Sequence, residues 1–468
     1  MTPDQTQTTQ HPGAVQGPFS SAYRIVTLSI LALVTIIAFE SMAVSTVMPE
    51  VATELRAVRS YGLAFSVMLT AQLLGIVLAG VWIDRSGPLP AILSGQVLLG
   101  AGSFICGAAR NFGMLLLGRG LAGLGAGLLV VVFFVIIGRV YPDSVRPQLF
   151  AMVSTAWVVP SLLGPPLAAW IALHFSWRWV FWVVVIPVTI TAVVLSARSH
   201  VIGAAGEAVS NRDHTSHVRA AWLGLAIAIA AGAVQFGTHE LVLEWSPATV
   251  LAALGIVGLL ITAPLLLPAG TWIMRRGLPS VMLARFLASV AFFGTVAFIP
   301  LFLVNERGLS IGVAGIVLAI GSVGWTIGSW IQGNRRFDGR REMLITAGGT
   351  ALALGTAACV LSAWLTLPLP AFPLALILMG LGMGMTTATT SVLMLMLTTE
   401  AEHGEASTSL NLADVLGSVI GIAAGGALFA ALHRAAGQDA KVFAMMWLIS
   451  SAAALVLILT GPRTRRYL

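Results

Sequence analysis

Long apolar runs, separated by short polar or basic segments, follow one another almost without pause from Arg24 to Thr460. Each run reaches the ~20 residues that an α-helix needs to cross a bilayer, and none shows the ~10-residue alternating segments of a barrel strand. A backbone in lipid has no water to bond, so each run must satisfy its own peptide groups as a helix. The pattern predicts an all-α polytopic membrane protein. A hydropathy window of about 19 residues places six spans over 24–48, 61–83, 88–109, 113–137, 149–173 and 177–197. Eight more follow over 220–237, 249–268, 281–304, 311–331, 343–365, 370–397, 406–432 and 442–460, for an expected total of fourteen.

The polar segments complete the outline. Residues 1–22 are rich in Thr, Gln and Pro without the basic start of a signal peptide, and read as a disordered cytoplasmic tail. Residues 199–219 form the longest hydrophilic interruption and read as a cytoplasmic linker, and 463–468 as a basic tail. With an even number of spans both ends share one side. Arg85, Arg139, Arg146, Arg275, Arg276, Arg335, Arg336, Arg340 and Arg341 fall in the loops of that side, which the positive-inside rule makes cytoplasmic. The expected location is the cell (inner) membrane.

Composition agrees and narrows the classes. Charged residues make up 9% and the mean hydropathy is +0.94, so polar side chains are too few to cover a globule of 468 residues in water. The net charge of +7 is scattered between spans and forms no stripe for nucleic acid. Cys106 and Cys359 both lie in apolar runs, giving neither a disulfide framework nor metal spacing. No Walker loop, metal cluster or Ser-His-Asp arrangement stands out, so neither a cofactor nor an enzyme is expected.

An internal repeat organises the spans. Span two ends Gly80-Val81-Trp82-Ile83-Asp84-Arg85 and span ten ends Gly328-Ser329-Trp330-Ile331-Gln332-Gly333. Spans four and twelve are both studded with glycine, through Gly118, Gly120, Gly123, Gly125 and Gly127 in one and Gly380, Gly382 and Gly384 in the other. Spans one to six thus correspond to nine to fourteen, as two six-helix bundles over 23–198 and 271–462. Spans seven and eight, within 220–270, stand outside the repeat as an inserted two-helix hairpin.

Four motifs carry a family resemblance. Gly80 to Gly87, with Asp84 and Arg85, resembles the G-x-x-x-D-R-x-G signature of the major facilitator superfamily, with Pro88-Leu89-Pro90 in place of its basic pair. Arg119-Gly120-Leu121-Ala122-Gly123-Leu124-Gly125 is similar to R-x-x-Q-G-x-G. Pro160-Ser161-Leu162-Leu163-Gly164-Pro165-Pro166 resembles the antiporter motif G-P-x-x-G-G, and Phe39 to Pro49 puts Glu40 on the acidic position of L-D-x-T-x-x-N-x-A-L-P. The chain is thereby identified with the fourteen-helix drug:proton antiporters of that superfamily, over nearly its whole length. The resemblance implies a major facilitator fold and a monomer that exchanges protons for hydrophobic or amphipathic small molecules such as drugs or natural products. It also implies a cytoplasmic gate at Asp84 and Arg85, with Arg139 as candidate partner, and a sealing role for Pro160, Gly164 and Pro165.

Intramembrane charges are the candidates that chemistry itself selects. A carboxylate within a span costs about 2.5–3.5 kcal/mol on insertion scales and belongs in a bundle interior or a wet cavity. Counted from Met48, Glu40 lies eight residues, ~12 Å, from the outer end of span one, and Arg119 six residues, ~9 Å, into span four. The two can share a layer, as a proton site or as a permanent ion pair that only braces the bundle. Asp414 lies eight residues inside span thirteen, as a second protonation site or as a lock on a loop arginine, with Asn411 a candidate neighbour. Gln235, Trp325 and Met385 are candidate wall residues. The run Thr386 to Ser391 either lines the path or bonds its own helix. Trp177-Arg178-Trp179 reads as an interfacial aromatic belt with a snorkelling arginine. The competing function is transport of a lipid or glycolipid on the same fold.

Overall fold

The computed structural model describes residues 17–21, 23–142, 145–197, 214–239, 247–337, 339–365, 367–399 and 403–465. Every regular element among them is helical: α1 (Arg24–Glu54), α2 (Tyr61–Ser86), α3 (Pro88–Gly107), α4 (Phe112–Val140), α5 (Arg146–His174), α6 (Trp177–Ala197), α7 (His214–His239), α8 (Pro247–Leu266), α9 (Leu278–Val296), α10 (Ile299–Asn305), α11 (Ile311–Gln332), α12 (Glu342–Trp364), α13 (Ala371–Leu397), α14 (His403–Leu432) and α15 (Ala440–Thr460). Turn chemistry marks several starts. Asn111 caps α4 by accepting from Met114 N, Ser310 caps α11 through Val313 N, and Gly87, at φ 76°, separates α2 from the proline-led α3.

Twelve of the predicted spans are long and apolar enough to cross a membrane, with α9 and α10 forming one of them. The described apolar parts of α7 and α8, Leu225–Val234 and Pro247–Leu259, are shorter than a full crossing. Other differences from the sequence reading are local. Residues 17–21 of the expected disordered tail include a turn with Pro18 buried, and Thr27 Oγ1 donates to Pro18 O at 2.7 Å. Helix α7 begins at His214, within the expected linker; residues 198–213 lie outside the described ones. Span nine breaks between Val296 and Ile299, where Pro300 has no N–H for a continuous helix. Span one runs on through Pro49 to Glu54.

The same neighbours recur in the two halves. Helix α4 packs on α2 and α3, α3 on α6, and α1 on α5 and α6; correspondingly α13 packs on α11 and α12, α12 on α15, and α9 on α14 and α15. The glycines noted in the sequence make these approaches possible. Gly123 and Gly127 lie against the backbone of α2, and Gly125 against that of α3; Gly380 and Gly384 lie against α11, and Gly382 against α12. The halves meet through α2 with α14 and α5 with α11, two contacts that the repeat exchanges. Helix α7 lies along both α2 and α14, paired with α8.

The start of α1 and the end of α15 share one end of the molecule, here the terminal end. Gly62 at the start of α2 meets Gly426 near the end of α14, so these helices run antiparallel and α14 starts where α2 ends. At the opposite end a buried core crosses both halves, joining Val47, Tyr61 and Ile171 to Phe298, Phe302 and Val317, and in the second half it runs on to Ile345 and Leu457. Toward the terminal end the first half has a core of its own, including Leu33, Ile83, Ile92 and Ile136, and the second half has separate small ones. Leu73 and Ile76 still reach Leu412 and Leu416 across the divide. The halves are thus joined most tightly at the opposite end.

Candidate functional site

Helices α1, α2 and α4 converge on one ion pair. Arg119 Nη1 lies 2.5 Å from Glu40 Oε1, and both side chains are almost wholly enclosed, at 3% and 1% exposure. The guanidinium is tied to a third helix, since Arg119 Nε donates to Ala64 O at 2.9 Å. Nothing bonds the other carboxylate oxygen among the described residues: Glu40 Oε2 is buried without a partner. A buried acceptor usually finds a donor, and leaving one unmatched costs on the order of 1–3 kcal/mol. The pair is therefore well fixed on one side and has an open acceptor on the other, where a proton would find a lone pair.

A second polar centre lies in the other half. Arg285, seven residues into α9, is a buried cation that the sequence reading did not single out. Its Nε donates to Thr390 Oγ1 at 2.9 Å, and its Nη2 to Thr387 O at 2.6 Å and Ser391 Oγ at 2.7 Å. Its Nη1 stands 3.8 Å from Asp414 Oδ1, which also accepts from Ser289 Oγ at 2.5 Å. The arginine beside Asp414 is intramembrane and not from a loop, and Asn411 bonds its own helix through Ser407 O. The hydroxyl run of α13 bonds its own helix, through Thr386, Thr387 and Thr390 to backbone carbonyls, while Thr390 and Ser391 also receive the guanidinium, a role not foreseen for them. Asp414 is the more open acid, with 30% of its side chain exposed. The signal for Arg285 was available: a lone arginine inside an apolar run, the same argument that selected Glu40.

The proline-glycine segment of α5 sits between the halves. Pro160, Gly164 and Pro165 are buried. A side chain at Gly164 would meet Met42 and Phe39 of α1, which flank Glu40. Ser322 of α11 donates to Ser161 O at 2.9 Å, and Gly315 of α11 is so close that an added Cβ would stand 2.9 Å from Pro165 O. Tyr61 OH reaches Ala297 O at 3.0 Å, a further bond across the divide.

Comparison with known proteins places this architecture. The sequence profile of the Major Facilitator Superfamily matches residues 30–366 and again 281–467. The chain belongs to the major facilitator superfamily. It is similar to the multidrug transporter protein MdtP of Bacillus subtilis (strain 168), 25% identical over 354 residues that cover 70% of this chain and 63% of MdtP. It is also similar to the multidrug efflux pump SdrM of Staphylococcus aureus (strain N315), 28% identical over 171 residues, 36% of this chain and 38% of the pump. The chain thus spans less than two thirds of these relatives' length. Among solved structures, a peptide transporter POT in complex with sulfate superposes with a TM-score of 0.69 at 16% identity, covering 96% of this chain and 97% of that one. A D-xylose-proton symporter gives 0.64 at 16%, covering 96% and 100%. At such identity the likeness is one of fold.

For a superfamily of transporters, not enzymes, the remaining candidates fall as follows. In the expected gate, Arg85 is exposed, while the side chains of Asp84 and Arg139 lie outside the described residues, so their pairing has no structural account. Met385 is buried against Leu344 and Ala351, and Trp325 packs edge-on to Phe292 at 5.2 Å; the side chain of Gln235 lies outside the described residues. At the start of α6, where the sequence predicts an aromatic belt, Trp177 is fully buried. Trp177 Nε1 and Arg178 Nη1 both donate to Glu54, at 2.6 and 2.8 Å, and hold the far end of α1. Cys106 and Cys359 are free and buried, consistent with core thiols.

Proposed function

We propose that this chain is a proton-coupled antiporter that exports hydrophobic or amphipathic small molecules by alternating access. The observation that carries the reading is Glu40, an enclosed carboxylate paired through one oxygen and unpartnered at the other among the described residues. With the opposite end closed, as here, Glu40 is sealed from that side. When that end opens, a proton reaching Oε2 removes the charge that holds Arg119, and the pair loosens between α1, α2 and α4. Loss of the proton toward the terminal end restores the pair. An ion pair that changes strength in this way couples proton entry to the relative movement of the helices it ties.

Export of drug-like molecules follows the multidrug names of the relatives and the proline-glycine segment at the α5–α11 seam. In this reading the protein is a monomer in the inner membrane, with both termini cytoplasmic by the arginine-rich loops of the terminal end. Helices α7 and α8 complete fourteen spans as a hairpin outside the two six-helix bundles, and Asp84, Arg85 and Arg139 latch the cytoplasmic side. Asp414, with Arg285, is a second station for protons near the cytoplasm.

The test is uptake into inside-out proteoliposomes under an imposed pH gradient, with cationic dyes and fluorescent lipids as separate substrates. Dye uptake that collapses with the gradient and is lost in Glu40→Gln supports the reading. Lipid movement without dye uptake replaces it with the lipid-transporter alternative, and dye uptake indifferent to the gradient overturns proton coupling.

A further inference from the structure

A groove at the terminal end of the second half takes no part in the transport reading. It has a volume of about 630 Å³, lies between the first turns of α12 and the segment that follows α15, and is lined by Arg340, Glu342, Met343, Thr346, Ala347 and Arg465. Its size is within the ~300–1,000 Å³ of small-molecule sites. Two arginines stand on its rim. Arg340 is exposed and makes no side-chain bond among the described residues. Arg465 bonds Glu342, the one acid among the lining residues, yet its side chain remains 59% exposed. No side chain caps the start of α12, and Glu342 is the acid of its first turn, where it offsets the partial positive charge of the helix terminus.

Below the rim the surface turns apolar. Met343 is 54% exposed and Ala347 is exposed beside it, and the same face of α12 continues at helical spacing to Thr350 and Leu354. On the neighbouring α15, Leu455 and Leu459 are exposed as well. A basic rim at the level where a span begins, leading into an exposed apolar stripe along that span, has the polarity of one phospholipid. Guanidinium groups bind phosphate oxygens with paired donors, and basic pockets beside spanning helices hold anionic headgroups.

We propose that this groove binds an anionic phospholipid, with the phosphate between Arg340 and Arg465 and an acyl chain along Met343, Ala347 and Leu354. The site is independent of proton coupling, because it shares no residue with the Glu40 or Asp414 centres. Glu342 directs it by holding Arg465 at the rim while leaving Arg340 free.

The test reconstitutes the full chain in phosphatidylcholine nanodiscs containing a trace of diazirine-tailed phosphatidylglycerol or of phosphatidylcholine with the same tail. Illumination and peptide mapping then locate the labels. The expected result is preferential labelling of residues 343–354 by phosphatidylglycerol. Arg340→Gln, which breaks no internal bond, lowers that preference about fivefold, and Arg340→Gln with Arg465→Gln removes it. Equal labelling by the two lipids, or a preference that survives the double substitution, overturns the proposal. Preference erased by millimolar inorganic phosphate also overturns it, in favour of a free-phosphate site.

Discussion

Glu40 and Arg119 are worth most to each other. Breaking a buried pair by removing one partner costs about 3–5 kcal/mol, because the remaining charge is left enclosed and uncompensated. Glu40→Gln is therefore expected to lower thermal stability in detergent and to abolish gradient-driven transport. Adding Arg119→Gln separates bracing from coupling. If the pair only braces the helices, the double variant regains both stability and transport; the expectation here is recovery of stability alone, read as melting temperature beside proteoliposome uptake. Arg285 poses a different case, since three acceptors of α13 hold it and Asp414 stands at 3.8 Å. Arg285→Met is expected to strand Asp414 and cost on the order of 3 kcal/mol, whereas Asp414→Asn costs less, because the guanidinium keeps its α13 partners. Differential scanning of the two variants checks the order.

At the level of elements, packing in lipid depends on close approach, because apolar burial gains little against lipid tails. Helix α4 shows this most sharply: Gly123 and Gly127 admit α2, while Gly118 and Gly125 admit α3. A Cβ at Gly125 would stand 2.5 Å from Gly95 O, so Gly125→Leu has to push α3 away. The expected loss is about 1–3 kcal/mol or more, measured as a lower melting temperature. The loop at the end of α10 carries a pH-sensitive contact. Glu306 accepts from Gly437 N at 2.9 Å and Asp439 N at 3.1 Å, and burial raises its pKa above 4.5 by more than these bonds lower it. A carboxyl raised in the folded state contributes stability that is complete below its ordinary pKa and is lost as pH rises through the raised value. Hydrogen exchange of residues 433–440, corrected for intrinsic rate, is therefore expected to be slower near pH 4.5 than near pH ~8.

Across the whole molecule, the two halves are held at the opposite end by a shared apolar core, by close approaches at small residues and by a few polar bonds. Gly62 and Gly426 touch there, and a Cβ at Gly62 would stand 2.9 Å from Gly426 Cα. Gly62→Val is expected to prop that end open, since the obstruction is backbone and cannot rotate away. A cysteine at Ser322, on the α5–α11 seam, then becomes several-fold more reactive to a maleimide supplied from that side. Unchanged labelling would mean that the α2–α14 contact does not control closure.

Hydropathy alone was enough for the helical membrane class, because lipid leaves the backbone no alternative to bonding itself within each run. The repeat was also legible, since matched glycines mark matched helix approaches. Glu40 and Arg119 stood out for the cost of a charge in a span. The sequence did not disclose that span nine breaks before Pro300, that α1 continues through Pro49, or that Trp177 and Arg178 clamp Glu54. Such outcomes depend on which neighbours supply bonds after the chain has folded. The clearest case is Arg285: its position was visible, but its Thr390 and Asp414 partners lie 105 and 129 residues further along, and only the meeting of α9, α13 and α14 chose them. The sequence could locate a buried charge from its local cost, whereas its partner was settled by packing between distant segments, which no local pattern encodes.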